Sequence, residues 1–552
     1  MACSPADRRG TSPRSQVAGA VASAEKAATE VGLEVLSAGG GAVDAAVAVA
    51  LALAVVQPQA GNLGGGGFAV VRWEGEAFAL DFRETAPAAA HHDMFLAADG
   101  SPRPEASRTG ALAAGVPGSP SGLHELHRRF GTLPWRRVVQ PAIDLARNGF
   151  VVTPRLHEAI DTSRSSLARF ESSARVWLPH GEPPRPGVVI RLPALAATLQ
   201  AYADKGPTGV TGGAVAAAVE RAVQADGGIL TAADLGAYRP VWREPIRFTA
   251  HGWEIASMPL PSSGGIILGQ TLLLMERLGW AALPVGDPRR EHFLAEVWRR
   301  AFADRYLLGD PATSRVDADS LLAADWMARR AGEIDPERAT PSEQVGRWPG
   351  GEAEIAGDTT HLSVADGAGN VVALTTTLNG WFGCALLVEE AGFFLNNEMD
   401  DFAAAIDAPN LFDLVQGEAN AVRPGARMLS SMTPTVAWRG DEVIALGSPG
   451  GGKIPTATAR VLLHLIVDRM PMSLAVAHPR THHQWQPDEL WVEPDALDGG
   501  LRSDLGRRGH CLREVQSMGE VHVVRVLADG TWEAVADARG PGAAGVLDGA
   551  PR

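Results

Sequence analysis

Residues 357–364 read Gly357-Asp358-Thr359-Thr360-His361-Leu362-Ser363-Val364. A small, flexible residue, Gly357, stands one position ahead of Asp358 and a pair of threonines. The run that follows, His361–Ala365, alternates as a strand does. The segment ahead of it, GEIDPERATPSEQVGRWPGGEAEIAG (332–357), is polar, rich in Pro and Gly, and without a strong period. That composition predicts an exposed, mobile linker of the kind proteolysis finds. A backbone break before Thr359 would make threonine the first residue of a new chain. Its α-amine would then lie within reach of its own hydroxyl. An α-amine has a pKa of about 7.7–8.0, so it can accept the hydroxyl proton near neutral pH without a histidine partner. The competing reading is a threonine-rich strand edge, since β-branched residues favour strands. The surroundings decide between the two.

Strand signals continue downstream. Val371–Thr377 pairs by pattern with His361–Ala365 around the turn-rich Asp366-Gly367-Ala368-Gly369-Asn370. Thr433–Trp438 and Val443–Leu446 flank Arg439-Gly440-Asp441 in the same way, and helices are predicted over 453–469 and 472–478. Upstream, the region 110–330 is helix-rich, with apolar spacing of 3.6 type in Leu123–Phe130, Pro134–Asn148 and Glu291–Leu308. Residues 1–16 read as disordered. Ser23–Leu36 reads as a helix with Ser23 at its N-cap and Gly39-Gly40-Gly41 as its stop. Ala42–Val56 is apolar on nearly every face and is expected to be a buried helix. The glycine-rich loop Gly61–Gly67 requires close backbone approach or positive φ, and Phe68–Trp73 with Ala77–Phe82 forms a hairpin.

The chain has 552 residues, 45% of them hydrophobic and 20% charged, the balance of a globular enzyme with a large core. A formal charge of −15 disfavours nucleic acid and anionic membranes as partners. Cys3, Cys384 and Cys511 are too few and too far apart for a disulfide framework or a cysteine-rich zinc site, and leave room for one disulfide. The opening MACSPADRRGTSPRSQ lacks an apolar core, so a cytoplasmic protein is expected; an export signal ahead of this start would make it periplasmic or secreted.

Several ordered blocks resemble the γ-glutamyltransferase (γ-glutamyltranspeptidase) family of N-terminal-nucleophile hydrolases. They are GGGAVDAAVAVALALAVVQPQAGNLGGGGF (39–68), DFRETAP (81–87), GVPGSPSGL (115–123), SMPLPSSGGI (257–266), DTTHLSVAD (358–366) and TTLN (376–379). FFLNNEMDDF (393–402), LSSMTPT (429–435), GSPGGGKI (447–454) and HHQWQPDEL (482–490) follow. The resemblance implies an α+β fold, a four-layer αββα sandwich of two stacked antiparallel sheets. It implies autocatalytic cleavage into a large chain, 17–358 after the disordered start, and a small chain, 359–552. Thr359 matches the family nucleophile, and Thr377 matches the threonine that hydrogen-bonds it. Gly450 and Gly451 match the pair whose N–H groups form the oxyanion hole, a large catalytic contribution in acyl transfer.

The resemblance also implies a glutathione hydrolase and γ-glutamyl transfer activity, with water, amino acids or peptides as acceptors and no metal or organic cofactor. A γ-glutamyl group carries an α-carboxylate and an α-ammonium. Arg83 matches the arginine that grips the first, with Ser430 and Ser431 as hydroxyl partners; a planar guanidinium suits two carboxylate oxygens. Asn379, Glu398 and Asp401 match the residues around the second. Glu398 stands where some relatives carry glutamine, and the Glu398–Asp401 pair strengthens the ammonium preference. Phe412, in a stretch (403–427) that aligns with a lid over the pocket, stands where some relatives have tyrosine. The full-length lid favours glutathione-sized substrates over polymers.

Other readings compete. Gly447-Ser448-Pro449-Gly450-Gly451-Gly452-Lys453 fits a phosphate-binding loop between strand and helix, but Ile454 replaces the magnesium-ligating Ser/Thr and Pro449 removes a donor. Gly64–Gly67 lacks the dinucleotide spacing. His482-His483 with Asp488 and Glu489 is expected to be structural, because adjacent residues of an extended segment point opposite ways. A cephalosporin or glutaryl acylase of the same fold is the alternative enzyme, and Asp401 argues against it, since a desolvated carboxylate facing no cation is costly.

Overall fold

The computed structural model describes residues 18–314, 316–346 and 359–547. The expected disordered start (1–16) and the second part of the expected linker (347–357) lie outside the described residues. The strands of the two sheets are β1 (Gly19–Ser23), β2 (Gly66–Trp73), β3 (Glu76–Phe82), β4 (Val241–Arg243), β5 (Ile246–Ala250) and β6 (Trp253–Ser257). They continue as β7 (Thr359–Asp366), β8 (Val371–Thr377), β9 (Thr435–Arg439), β10 (Glu442–Gly447), β11 (His522–Val526), β12 (Trp532–Val535) and β13 (Ala543–Leu547). The first sheet runs β13-β1-β7-β8-β2-β3-β4 and the second β12-β11-β10-β9-β6-β5, both antiparallel throughout.

Alternation along the strands builds the layers. Ala20, Phe68, Val70 and Ala373 of the first sheet meet Val436, Ala445, Val524 and Val526 of the second in one buried cluster. The opposite residues of the first sheet, such as Val71, Leu362 and Leu374, face helices α1 (Lys26–Ser37), α2 (Ala42–Val56), α3 (Ser119–Phe130) and α4 (Trp135–Asn148). The outer face of the second sheet, with Ile255, Ile444 and Leu446, packs on α5 (Gly264–Arg277), α6 (Pro288–Arg305) and α7 (Ile454–Ile466). The molecule is therefore the expected α+β sandwich of four layers. Every residue of α2 is buried, as its all-round apolar sequence predicts. Full burial of Leu51, Leu53 or Val55 contributes about 1.5–3 kcal/mol each relative to exposure.

The strand order weaves the two halves of the chain together. β1 lies between β7 and β13, β8 pairs with β2, and β9 pairs with β6. A break before Thr359 thus leaves the halves held by four cross-chain ladders and a shared core. Two expectations are corrected. Ser23 ends strand β1 instead of capping a helix, and α1 begins at Lys26. The alanine-rich run Gly19–Ser23 is fully buried between two strands, and that pairing carries the chain through Ser23 before the helix can start. Residues 332–346, read as the start of a mobile linker, are anchored. Ser342 opens a short helix, its Oγ accepts from Arg299 Nη1 at 2.5 Å, and its N–H donates to Asp488 Oδ2 at 2.8 Å. Trp485 Nε1 also donates to the Ser342 carbonyl at 2.8 Å. Partners distant in sequence satisfy a segment whose own composition is polar. No helix among the described residues is long and apolar enough to cross a membrane.

Buried histidines set the acid limit of stability. Burial pushes His482 and His510 down to about 3, and His464, His483 and His522 down to about 4. Unfolding returns them to about 6.5, so their contribution is full above that pH and is lost as pH falls toward 4. Glu25 and Glu84, each raised by burial from 4.5 to about 8, act in the opposite sense: their contribution is present below pH 4.5 and fades as pH rises through 8. The histidines are more numerous, so the melting temperature should fall steadily from pH 6.5 to 4.5. A flat or rising melting temperature across that interval would contradict this assignment.

Candidate active site

Thr359 is the first residue of β7, and the sheet register sets it opposite Thr377, the last residue of β8. Its Oγ1 donates to Thr377 Oγ1 at 3.3 Å, and Thr377 Oγ1 also accepts from the N–H of Asn379 at 2.8 Å. The glycine loop before β2 lets these strand ends close up. A Cβ on Gly65 would lie 2.0 Å from the Thr377 carbonyl, and one on Gly67 would lie 2.3 Å from the Thr375 carbonyl. Close approach, and not positive φ, is what these positions need.

Thr359 and Thr377 border a small cavity. Arg83, Asn379, Glu398, Asp401, Ser430, Ser431 and Gly451 line it too. Of the ten site residues named from sequence, nine meet there. Gly450 stands one residue behind Gly451, against Gly519, and does not line the cavity. Gly450 has φ +125° and Gly451 φ +59°, and a side chain at Gly451 would lie 2.2 Å from the Phe412 ring. One turn later α7 begins, so the positive end of its dipole lies near this loop.

Charge is concentrated opposite the threonines. Arg83 is fully buried; its Nη1 pairs with Glu398 at 2.7 Å and its Nη2 with Asp401 at 2.5 Å. Nη1 also lies 3.6 Å from Glu84, and Nε donates to the Met428 carbonyl at 3.3 Å. Burial works to lower the guanidinium, and the three carboxylates outweigh it, so it is held above its ordinary value. Burial raises Glu84 to about 8. The carboxylates expected to meet an ammonium are thus paired with the arginine expected to meet a carboxylate. A zwitterion can exchange with that pairing without leaving any charge unpaired.

The remaining polar groups are mostly fixed by the backbone. Ser430 Oγ accepts from the Met432 N–H at 3.1 Å, whereas Ser431 Oγ is buried with no hydrogen-bond partner among the described residues. Asn379 adopts φ +75° and donates from Nδ2 to the Asn397 carbonyl at 3.1 Å. The 403–427 segment closes over the cavity through Phe412 and Leu414. It is tied down by Asn410 Nδ2 donating to Asp401 Oδ1 at 2.8 Å and by the Leu411 N–H donating to Asp400 Oδ2 at 2.7 Å. Sequence reading missed Arg305 and Glu84. Neither carries a local signature: a lone charged residue is usually at the surface, and both are buried here.

The competing motifs resolve into structure. In the 447–453 loop Ser448 Oγ bonds the Pro449 carbonyl and the Glu520 N–H, and Gly451 is closed off by Phe412. His482 bonds Thr456 and Gln484, and His483 bonds Asp488. No group of three or more His, Cys, Asp or Glu is placed to hold a metal among the described residues. Cys384 is a free buried thiol and Cys511 a free exposed one.

Comparison with known proteins matches this geometry to a family. The Gamma-glutamyltranspeptidase family model matches residues 28–547. The glutathione hydrolase proenzyme of Escherichia coli (strain K12) is 40% identical over 526 residues, covering 94% of this chain and 90% of that one. The crystal structure of a cephalosporin acylase from Bacillus halodurans superposes with a TM-score of 0.83 at 25% identity, covering 100% of this chain and 99% of that one. The γ-glutamyltranspeptidase of Helicobacter pylori does so with a TM-score of 0.57 at 38% identity, covering 60% of this chain and 96% of that one. A family match over nearly the whole length, together with 40% identity, fixes the assignment: the chain belongs to the γ-glutamyltranspeptidase family.

Proposed function

We propose that this protein is a γ-glutamyltransferase and glutathione hydrolase that matures by cleavage before Thr359. The Thr359 hydroxyl attacks the γ-carbonyl of glutathione or of another γ-glutamyl amide. The freed Thr359 amine takes the hydroxyl proton and passes it to the leaving amine. The C–N bond breaks and a γ-glutamyl ester forms on Thr359 Oγ1. Water, or the amine of an amino acid or peptide, then attacks that ester and restores the threonine. Backbone N–H groups of the Gly450–Gly451 loop, presented to the cavity at Gly451, stabilise the oxyanion of each tetrahedral intermediate. Arg83, Ser430 and Ser431 take the α-carboxylate, and Asn379, Glu398 and Asp401 take the α-ammonium.

The observation that carries this reading is a single cavity bordered by the Thr359–Thr377 pair and by the Arg83–Glu398–Asp401 cluster. The acylase alternative rests on the likeness to the Bacillus halodurans structure. Parallel assays of γ-glutamyl and glutaryl p-nitroanilide separate the two. Charge-assisted hydrogen bonds to the ammonium contribute about 1.5–3 kcal/mol each, so the γ-glutamyl donor should be favoured in kcat/KM by at least about 100-fold. Equal turnover of both donors would move the assignment to the acylase. Adding a dipeptide acceptor and counting γ-glutamyl dipeptide against free glutamate measures transfer against hydrolysis.

A further inference from the structure

Arg305, the last residue of α6, is 2% exposed and lines the same cavity. Its Nε donates to Ser263 Oγ at 3.2 Å. Ser263 in turn grips the Ser430 carbonyl, from N–H at 2.9 Å and from Oγ at 2.8 Å. The guanidinium is thus tied to the strip of backbone that presents Ser430. Its Nη1 is fully buried and has no hydrogen-bond partner, and Arg305 makes no ion pair among the described residues. Every other buried arginine of this region has its carboxylate: Arg83 has Glu398 and Asp401, and Arg330 has Asp304. Burial without a counterion lowers Arg305 from 12.5 to about 10, with Asp401 pulling upward and Arg83 downward.

A buried, unpaired guanidinium bordering a ligand cavity is costly unless a ligand completes it. The chemistry of the site says which ligand. Glu398 and Asp401 are shared by the single cation of Arg83. An arriving ammonium would take over those carboxylates, and two guanidiniums would then face one free carboxylate. Resting on the γ-glutamyl reading above, we infer that Arg305 is a second arginine for the donor's α-carboxylate, acting beside Arg83 as a substrate-binding and specificity-determining residue. On this account the substrate supplies the counterion that Arg305 lacks, while its ammonium replaces Arg83 on Glu398 and Asp401.

The test compares two donors that differ only in the α-carboxylate, γ-glutamyl p-nitroanilide and 4-aminobutanoyl p-nitroanilide. The readout is the ratio of their kcat/KM values in wild type, Arg305→Gln and Arg305→Lys. Appearance of the two maturation chains on a denaturing gel establishes that each variant has folded. In Arg305→Gln the ratio should fall by about 10- to 100-fold, chiefly through KM of the γ-glutamyl donor. In Arg305→Lys it should fall less, because an ammonium keeps the charge and loses the fork. Equal losses on both donors would assign Arg305 a merely structural role and overturn the inference, as would an unchanged ratio. If Arg305→Gln fails to mature, an unchanged γ-glutamyl KM in Arg305→Lys overturns it instead. A wild type that turns over neither donor defeats the proposed function itself, which separates that failure from this one.

Discussion

Thr359→Ala should run as one chain of 57.9 kDa and lose γ-glutamyl turnover by about 10⁵-fold or to background. Wild type should run as two, of roughly 38 and 20 kDa in proportion to the residues on either side of the break. Two requirements meet on this residue. Cleavage before Thr359 needs its hydroxyl to attack the preceding carbonyl, and turnover needs the same hydroxyl with a free amine beside it. Alanine removes the hydroxyl from both steps and changes little else, since Thr359 begins a strand and its side chain faces the cavity rather than the apolar core. Thr359→Ser is the control. It keeps oxygen and amine and gives up only a methyl group, so it should still yield two chains and a measurable share of activity. Full turnover by an uncleaved Thr359→Ala chain would remove the amine-as-base mechanism altogether.

The strands around that threonine were legible in the sequence because their patterns are local. The alternation on either side of residues 366–370 gives β7 and β8 nearly to the residue, and hence the register that brings Thr359 to Thr377. The two-sided apolar run Ala42–Val56 gives α2 in the same way. Strand β1 escaped because GAVAS has no period of its own; only its neighbours β7 and β13 make it a strand. The anchored segment 332–346 escaped for a related reason, since Arg299, Asp488 and Trp485 lie far from it in sequence. The site divides likewise. Blocks such as LSSM and NNEMDDF exposed most of its polar residues, but nothing local marks Arg305, whose place depends on where α6 ends against Ser263. Nor does sequence alone reveal that Arg83 is paired with Glu398 and Asp401.

That pairing makes Asp401 the residue, after Thr359, whose loss should cost most. Asp401→Ala should lower kcat/KM for a γ-glutamyl anilide by about 10²- to 10⁴-fold, the range that follows from about 3–5 kcal/mol for breaking a buried ion pair. Its carboxylate joins two structures. Oδ2 pairs with Arg83 Nη2 at 2.5 Å, and Oδ1 accepts from Asn410 Nδ2 of the covering segment at 2.8 Å. Alanine leaves Arg83 with Glu398 as its nearest charge partner, loosens the cover above Phe412 and deletes one of two carboxylates for the ammonium. The neighbouring Asp400 provides the contrast. It holds Ser107 Oγ at 2.6 Å and the Leu411 N–H at 2.7 Å, and it does not line the cavity. Asp400→Asn should therefore act through the cover alone, with a loss of about tenfold, the scale of a single hydrogen bond. Both variants should still separate into two chains, because both keep the Thr359 hydroxyl that cleavage needs and its bond to Thr377. A loss below tenfold in Asp401→Ala, with maturation complete, would mean that the ammonium is recognised elsewhere and that the Arg83 cluster serves only to hold the fold.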